Sequence, residues 1–403
     1  MTVRITFALI LAVPGCSQMR PGQTVASPSS WLYVWTASAD SARHAAFMTV
    51  FDLRQNSPTA GKVVRTVWAG AGTRGTHHTE YYVQPDGLLF ANDFGTGRTF
   101  IFDLRNPGEP LIHGTFTTAG PFGWPHSYVR LPNGNRLVTY QWQSTKFDRP
   151  PGGIAEVRTD GTVVRWASAA TPAAADSEIT PYSLEVLPAL DRAVSTSTSM
   201  MEGTGVHVQI WRLSDLKLLY TLRIPAADPH AMHDSDTTQH HLLPGEPRVL
   251  ADGHTVMLGT FTCGLYMLTQ IETAEPRLSF VHSFPGENCA VPVVIGKYWL
   301  QTVPALHGVV ALDVSNPATP REVSRVVLGE KVRPHWLASD PSGRRLVTNS
   351  SNRSDPDLYL LSFDPVTGRL GKDLQLPVLS IGRVNIPELG EVIGIPHGAV
   401  FSR

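Results

Sequence analysis

The amino-acid sequence predicts an all-β protein on three observations. A β-rich run recurs seven times along the chain, at spacings of roughly 45 to 56 residues. Each run follows a strand–turn–strand unit, in which Pro and Gly mark a tight turn. The chain contains 34 Gly and 32 Pro, and no long apolar helical pattern interrupts the short strands.

The repeated unit is clearest where two copies share one register. The β-rich runs lie at residues 48–54, 99–105, 153–159, 208–214, 264–270, 309–315 and 358–364. In the units that precede them, His126 and His335 are each followed by Pro at six positions on, Gly at eight positions on and a Leu-Val strand. Residues 181–195 keep the proline spacing with Tyr182 in place of His, and residues 78–92 carry one extra residue. Each unit reads as an inner strand, a hairpin and outer strands.

Four-stranded units repeated around an axis are the blades of a β-propeller. Residues 396–403 resemble an inner strand with no outer strands after it, and residues 31–52 supply outer strands with no inner strand before them. We therefore predict a seven-bladed propeller over residues 31–403, closed by N- and C-terminal strands that share one blade. The repeat count allows six to eight blades, with seven as the predicted number. A β-sandwich or two stacked β domains would not require complementary fragments at the two ends.

The N-terminus has the features of an export signal. Arg4 precedes an apolar stretch, residues 5–13, that is too short to span a bilayer, and Val-Pro-Gly-Cys at 13–16 resembles a lipoprotein cleavage site. We predict a signal peptide over residues 1–16 with lipidation at Cys16, a Pro/Ser-rich linker over 17–30, and a periplasmic or cell-envelope location. Plain secretion and a structured first strand are the alternatives.

Charge and cysteine content restrict the partners. The formal net charge is −1 and no Lys/Arg run is present, which argues against electrostatic binding of nucleic acid. Association with a membrane is expected only through the lipid anchor. Besides Cys16, only Cys263 and Cys289 are present. In an oxidising compartment two cysteines favour a disulfide, and the alternative is that Cys289 ligates a metal.

Histidines recur where the predicted inner strands begin. Five of the seven blades carry His at this position, at 77/78, 126, 240/241, 335 and 397, and Tyr182 and Cys289/Ala290 fill the others. Because inner strands line the channel, these imidazoles would converge on one axis, and imidazole suits copper, iron and zinc. The candidate metal ligands are His77, His78, His126, His241, His335 and His397. The alternative is that these histidines only bond neighbouring backbone.

Other side chains have expected roles around this site. Glu80 and Glu185 follow the starts of their strands and could orient imidazoles. Trp124, Tyr128, Tyr182 and Trp336 are expected near the channel opening, where they would restrict access. No G-x-S-x-G, P-loop, H-E-x-x-H or G-x-G-x-x-G motif is present, so an activated serine or a nucleotide site cannot be argued.

Two resemblances follow from these residues. The Leu-Asp-Val-Ser-Asn-Pro turn at 312–317 resembles the LVIVD and YVTN repeats of secreted bacterial propellers. The histidine segments at 77–81, 124–127, 240–241 and 333–336 resemble the selenium-binding protein family, whose bacterial members include copper-dependent methanethiol oxidases. That family's selenium-linked cysteine motif is not recognisable here. The resemblance implies copper on the same six histidines; the four-histidine iron site of carotenoid-cleaving propellers is a more remote analogue.

Two functional hypotheses result. In the first, a copper or iron ion on the propeller axis oxidises a small, thiol-like substrate. In the second, the protein has no cofactor and is an envelope-anchored propeller that binds an unknown protein partner.

Overall fold

The structure is a computed structural model that describes residues 29–40, 45–143, 149–225 and 242–403. Within these ranges, seven antiparallel sheets form the blades of a ring, and the innermost strand of each blade contacts those of both neighbouring blades. This arrangement confirms the predicted seven-bladed β-propeller. The proposed signal peptide, most of the linker, Cys16 and His241 lie outside the described residues. No helix in the described part of the chain has both the length and the apolar character needed to cross a membrane.

The strands are numbered in chain order. The closing blade, blade 7, takes its three outer strands from the start of the chain: β1 (Trp31–Ser38), β2 (Ala46–Asp52) and β3 (Val63–Trp68). Blades 1 to 3 follow, as β4 (Thr76–Thr79), β5 (Leu88–Asp93), β6 (Arg98–Asp103) and β7 (Leu111–Phe116); β8 (Thr118–Ala119), β9 (Phe122–Arg130), β10 (Arg136–Trp142), β11 (Gly153–Val157) and β12 (Val163–Ser168); and β13 (Pro181–Leu187), β14 (Arg192–Ser199), β15 (Thr204–Arg212) and β16 (Lys217–Arg223).

Blades 4 to 6 complete the ring. They comprise β17 (Pro244–Val249), β18 (Val256–Thr260), β19 (Gly264–Thr269) and β20 (Arg277–Ser283); β21 (Val293–Ile295), β22 (Tyr298–Val303), β23 (Gly308–Asp313) and β24 (Arg321–Val327); and β25 (Pro334–Ser339), β26 (Arg345–Ser350), β27 (Asp357–Asp364), β28 (Arg369–Lys372) and β29 (Val378–Ser380). A hairpin of β30 (Val384–Ile386) and β31 (Gly390–Val392) precedes β32 (Gly394–Phe401). Single 3-10 turns lie at Asp176–Glu178, Pro188–Leu190 and Pro304–Leu306.

The two ends of the chain close the ring, as the sequence predicts. β32 is the inner strand of blade 7 and pairs antiparallel with β1, with Leu32 opposite Phe401 and Val34 opposite Ala399. The pairing covers the edge of β1, which would otherwise be free to pair with a strand of another chain.

The hydrophobic core is divided among the blade interfaces. The described residues contain seven clusters of buried apolar side chains, and each joins one pair of adjacent blades. Trp211 of blade 3, for example, packs with Leu137 of blade 2, and Trp299 of blade 5 packs with Met257 of blade 4. Seven interfaces around a closed ring require seven blades, which settles the predicted range of six to eight.

Polar side chains on the second strands fix the inner strands relative to one another. Asn92 accepts a hydrogen bond from the His78 N–H (2.6 Å) and donates to the Pro125 carbonyl of the next blade (3.0 Å). Asn349 does the same between Trp336 N–H (2.9 Å) and the Pro396 carbonyl (2.7 Å). Since these bonds hold the backbone beside the strand-start histidines, they set the positions from which the imidazoles enter the channel.

Candidate metal centre

Five imidazoles from four inner strands meet in the channel. His77 and His78 come from β4, His126 from β9, His335 from β25 and His397 from β32. Ring centroids are 4.4 Å apart for His77 and His397, 4.3 Å for His78 and His126, and 4.9 Å for His335 and His397. Five of the six predicted ligands are therefore brought together, and His241 lies outside the described residues.

Three of these side chains form a compact donor set. His77, His78 and His126 are buried, and each offers one ring nitrogen within 4.8 Å of the nitrogens of the other two. His397 contacts His77 with the two rings tilted by 34°, and it also contacts His335 edge-on. Neutral imidazole nitrogen is a favoured ligand for copper, iron and zinc, so the arrangement is chemically suited to one transition-metal ion.

The hydrogen-bond pattern of the cluster tests whether a metal fits. His77 Nδ1, His126 Nε2 and His397 Nδ1 are buried and have no hydrogen-bond partner. Buried polar atoms nearly always have a partner, and each exception requires an explanation. A metal ion that took their lone pairs would account for these nitrogens; His77 and His126 belong to the compact donor set, and His397 contacts His77.

The tautomer of His126 follows from its contacts. Its Nδ1 lies 2.7 Å from the carbonyl oxygen of Tyr182. A carbonyl can only accept, so Nδ1 carries the hydrogen and donates, and Nε2 keeps its lone pair. The unpartnered atom of His126 is thus the one that can bind a metal.

Burial keeps the cluster uncharged at neutral pH. Desolvation lowers the pKa of His126 to about 3 and that of His335 to about 4. Desolvation, together with the neighbouring imidazoles, also lowers the pKa values of His77, His78 and His397 well below the usual range. Neutral imidazoles are the metal-binding form, so no proton has to be displaced at pH 7.

A cavity of about 370 Å³ leads to this cluster. It is bordered by His335 and by eight uncharged residues, Thr198, Ser199, Met200, Gly203, Leu243, Phe261, Asn288 and Ser351. No described lining residue carries a formal charge. Because His335 borders the cavity and also contacts His397, a small molecule in the cavity would lie next to the imidazoles.

The aromatic residues expected at the opening are buried. Tyr182 and Trp336 are 1% and 0% exposed. Trp336 lies in the core between blades 6 and 7, and its ring packs edge-on against His78 with centroids 5.2 Å apart. Tyr182 packs on His126 (centroids 4.0 Å) and places its hydroxyl 3.3 Å from His78 Nε2. Phe261, which the sequence did not single out, borders the cavity and packs on Tyr182 at 5.6 Å.

Trp124 and Tyr128 make buried contacts within and between blades. Trp124 donates through Nε1 to the Phe94 carbonyl (2.8 Å) and packs against Trp142. Tyr128 is buried between blades 1 and 2, and its hydroxyl lies 2.7 Å from that of Thr99.

The carboxylates expected to orient imidazoles are engaged elsewhere. Glu80 pairs with Arg136 Nε at 2.9 Å, and Glu185 accepts from the Val186 N–H at 3.0 Å. Among the described residues, the carboxylate nearest an imidazole of the cluster is that of Glu246, whose Oε1 lies 3.6 Å from His78 Nδ1. Glu246 lies in β17, which begins at Pro244 rather than at the predicted His240/His241 position. The proline that also opens β13 and β25 was the available signal for this start.

The Glu80–Arg136 pair provides a stability prediction. Both side chains are fully buried, and burial raises the pKa of the Glu80 carboxyl to about 7 against the opposing effect of Arg136. Arg136→Met leaves this carboxyl without its cation, and we expect the free energy of unfolding at pH 8 to fall by about 3 to 5 kcal/mol. Arg325→Met, which breaks the solvent-exposed Arg325–Glu322 pair, should cost less than about 1 kcal/mol. Equal losses in urea unfolding would contradict the distinction.

Cys263 and Cys289 form a disulfide. Neither sulfur is then available as a thiolate ligand, so the donor set consists of imidazoles. The bond joins two segments that border the cavity, since Phe261 and Asn288 lie beside the two cysteines and the Asn288 N–H donates to the Phe261 carbonyl.

The fold and site define a seven-bladed propeller with a cluster of neutral histidines in its channel. No family model matches the chain. The sequence is similar to two curated methanethiol oxidases. It is 23% identical over 377 residues to that of Hyphomicrobium sp., and this match covers 84% of this chain and 81% of the relative. It is 28% identical over 149 residues to that of Ruegeria pomeroyi. The latter match covers 35% of this chain and only a third of the relative, 33%.

Solved structures with the same fold include a selenium-binding protein and a lactonase. A hypothetical selenium-binding protein from Sulfolobus tokodaii superposes with a TM-score of 0.73 at 16% identity, covering 94% of both chains. A periplasmic gluconolactonase from Pseudomonas aeruginosa also superposes, with a TM-score of 0.60, 18% identity, and 93% and 99% coverage. The chain thus resembles the selenium-binding protein and methanethiol oxidase group at low identity, and its fold is shared with proteins of other activities.

Proposed function

We propose that this protein is a metal-dependent oxidase of the selenium-binding-protein type that acts on a small, thiol-like substrate. The observation that carries the proposal is the set of buried, unpartnered nitrogens, His77 Nδ1, His126 Nε2 and His397 Nδ1. Copper or iron would be held by these imidazoles, with His78 and His335 beside them. The similarity to two methanethiol oxidases supports the choice of an oxidoreductase.

The chain's own residues bind and orient the reactants. The cavity beside His335 has no charged side chain among its described lining residues, which favours a small, uncharged substrate. The Tyr182 hydroxyl, 3.3 Å from His78 Nε2, supplies a hydrogen-bonding group at the inner end of the cluster. A bound redox metal would supply the transfer of electrons from the substrate to dioxygen. Burial of the rings keeps water and protons away from the nitrogens that would hold it.

We also propose that the protein acts in the cell envelope, anchored through a lipid on Cys16. The lipoprotein-like segment at 13–16 motivates this location. The disulfide between Cys263 and Cys289 is consistent with an oxidising compartment.

The test combines metal analysis with an assay of thiol oxidation. We expect the protein purified from the periplasm to hold close to one equivalent of copper or iron, and to consume oxygen when methanethiol or ethanethiol is added. Gluconolactone hydrolysis is the matched negative assay, since a lactonase shares the fold. Copper reconstitution that leaves less than about a tenth of an equivalent bound would contradict the proposal. It would favour an envelope-anchored module that binds a protein partner without catalysis.

A further inference from the structure

A buried hydrogen-bond network surrounds one carboxylate below the histidine cluster. Glu246 is 3% exposed, and its Oε2 accepts hydrogen bonds from the Tyr81 hydroxyl, the Ser183 hydroxyl and Arg248 Nη1, the last at 3.3 Å. The donors come from three inner-strand segments, those of blades 1, 3 and 4. Three donors on one oxygen leave the carboxylate a single orientation.

That orientation directs the other oxygen at an imidazole. Glu246 Oε1 is buried, has no hydrogen-bond partner, and lies 3.6 Å from His78 Nδ1. The Arg248 guanidinium also lies 3.9 Å from the centre of the Tyr81 ring, so these two partners of Glu246 contact each other as well. A small closing movement between Glu246 and His78 would pair Oε1 with the imidazole nitrogen.

The remaining contacts of His78 permit two tautomers. Its Nδ1 lies 3.3 Å from the Ser127 hydroxyl, and its Nε2 lies 3.3 Å from the Tyr182 hydroxyl. Hydroxyl groups donate or accept, so neither contact fixes the hydrogen. A lone pair on Nδ1 would face the Glu246 carboxylate and be repelled, while an N–H at Nδ1 would be attracted.

We propose that Glu246 is a positioning residue that holds His78 in the Nδ1–H tautomer. The Nε2 atom of His78, next to the Tyr182 hydroxyl, then keeps its lone pair and is available to the metal ion proposed for the histidine cluster. The consequence for metal binding rests on the proposed function, but the tautomer does not depend on it. A carboxylate that accepts from the outer nitrogen of a ligating histidine is a recurrent means of fixing that ring and raising its basicity.

The substitution Glu246→Gln separates this role from simple packing. Tyr81, Ser183 and Arg248 require an acceptor at the Oε2 position, which places the amide oxygen there and the amide nitrogen against His78. The nitrogen donates, so Nδ1 must now accept and the hydrogen moves to Nε2. We therefore expect the variant to keep its fold and to invert the tautomer of His78.

The measurement is ¹⁵N NMR of the full-length protein labelled on histidine nitrogens, after the metal is removed by chelation. The parent should show His78 with its hydrogen on Nδ1, and Glu246→Gln should show it on Nε2. The metal dissociation constant of the reloaded variant should rise by about 10- to 100-fold. Glu185→Gln, on the neighbouring inner strand and without a described imidazole contact, should leave both quantities unchanged.

The proposal is overturned if His78 in the parent carries its hydrogen on Nε2, or if a folded Glu246→Gln variant keeps the parental tautomer. The parent spectrum decides the question even if the variant does not fold. Ser127→Ala removes the other group near Nδ1 and should leave the tautomer as it is; a switch in this variant would assign the role to Ser127 instead. If the parent binds no metal, the proposed function fails while the NMR result still stands.

Discussion

Replacement of His126 by alanine is expected to remove nearly all bound metal and, with it, thiol-dependent oxygen consumption. His126 is the histidine whose tautomer the fold dictates: its Nδ1 donates to the Tyr182 carbonyl, and its Nε2 has no partner. Loss of this donor from a compact triad should weaken metal binding by at least on the order of 100-fold. Metal content after dialysis and the turnover rate with ethanethiol measure the effect.

His254→Ala is the matched control for this prediction. His254 lies in the turn between β17 and β18 with 63% of its side chain exposed, beside Asp252. Its removal should change neither metal content nor turnover. A His126→Ala variant that keeps one equivalent of metal and parental turnover would exclude the cluster as the catalytic centre.

The second large effect is destabilisation of the metal-free protein by acid. The five imidazoles have pKa values lowered by burial, so the unfolded chain takes up protons near its ordinary histidine pKa while the folded chain does not. Stability is therefore complete above about pH 6.5 and falls as the pH drops towards the lowered folded-state values. Each histidine contributes about 1.4 kcal/mol of lost stability per pH unit in that window.

A double variant isolates this contribution. Between pH 6 and pH 5, His77→Gln/His397→Gln should lose about 2 to 3 kcal/mol less unfolding free energy than the parent, because two titrating groups are gone. Urea unfolding at the two pH values, in the presence of a chelator, gives the comparison. Parallel losses in parent and variant would mean that these imidazoles are already protonated in the folded protein.

The architecture could be predicted from the sequence because it depends on spacing. The strand–turn–strand units at 125–139 and 334–348 share one register, and the ends of the chain supply complementary parts of one blade. The convergence of His77, His126 and His397 follows from the same argument, since inner strands that start at one mouth of a channel bring their first residues together.

Features that depend on side-chain direction could not be predicted in this way. Trp336 adjoins a channel-facing histidine in sequence, yet it lies in the core between blades 6 and 7. Glu246 follows Pro-Gly and precedes Pro, a context without an alternating β pattern, and its role depends on partners from other blades. Glu80 lies close to His78 in sequence, but its carboxylate faces Arg136.

The position of His397 on the closing strand links assembly of the ring to assembly of the site. β32 follows the other described strands in chain order, and it brings His397 against His77 of β4. Before β32 pairs with β1, the donor set lacks His397, so metal loading would depend on closure of the ring. An ion bound by both His77 and His397 would connect the closing strand to blade 1. It would then slow opening of the ring and domain swapping of β32 with a second molecule.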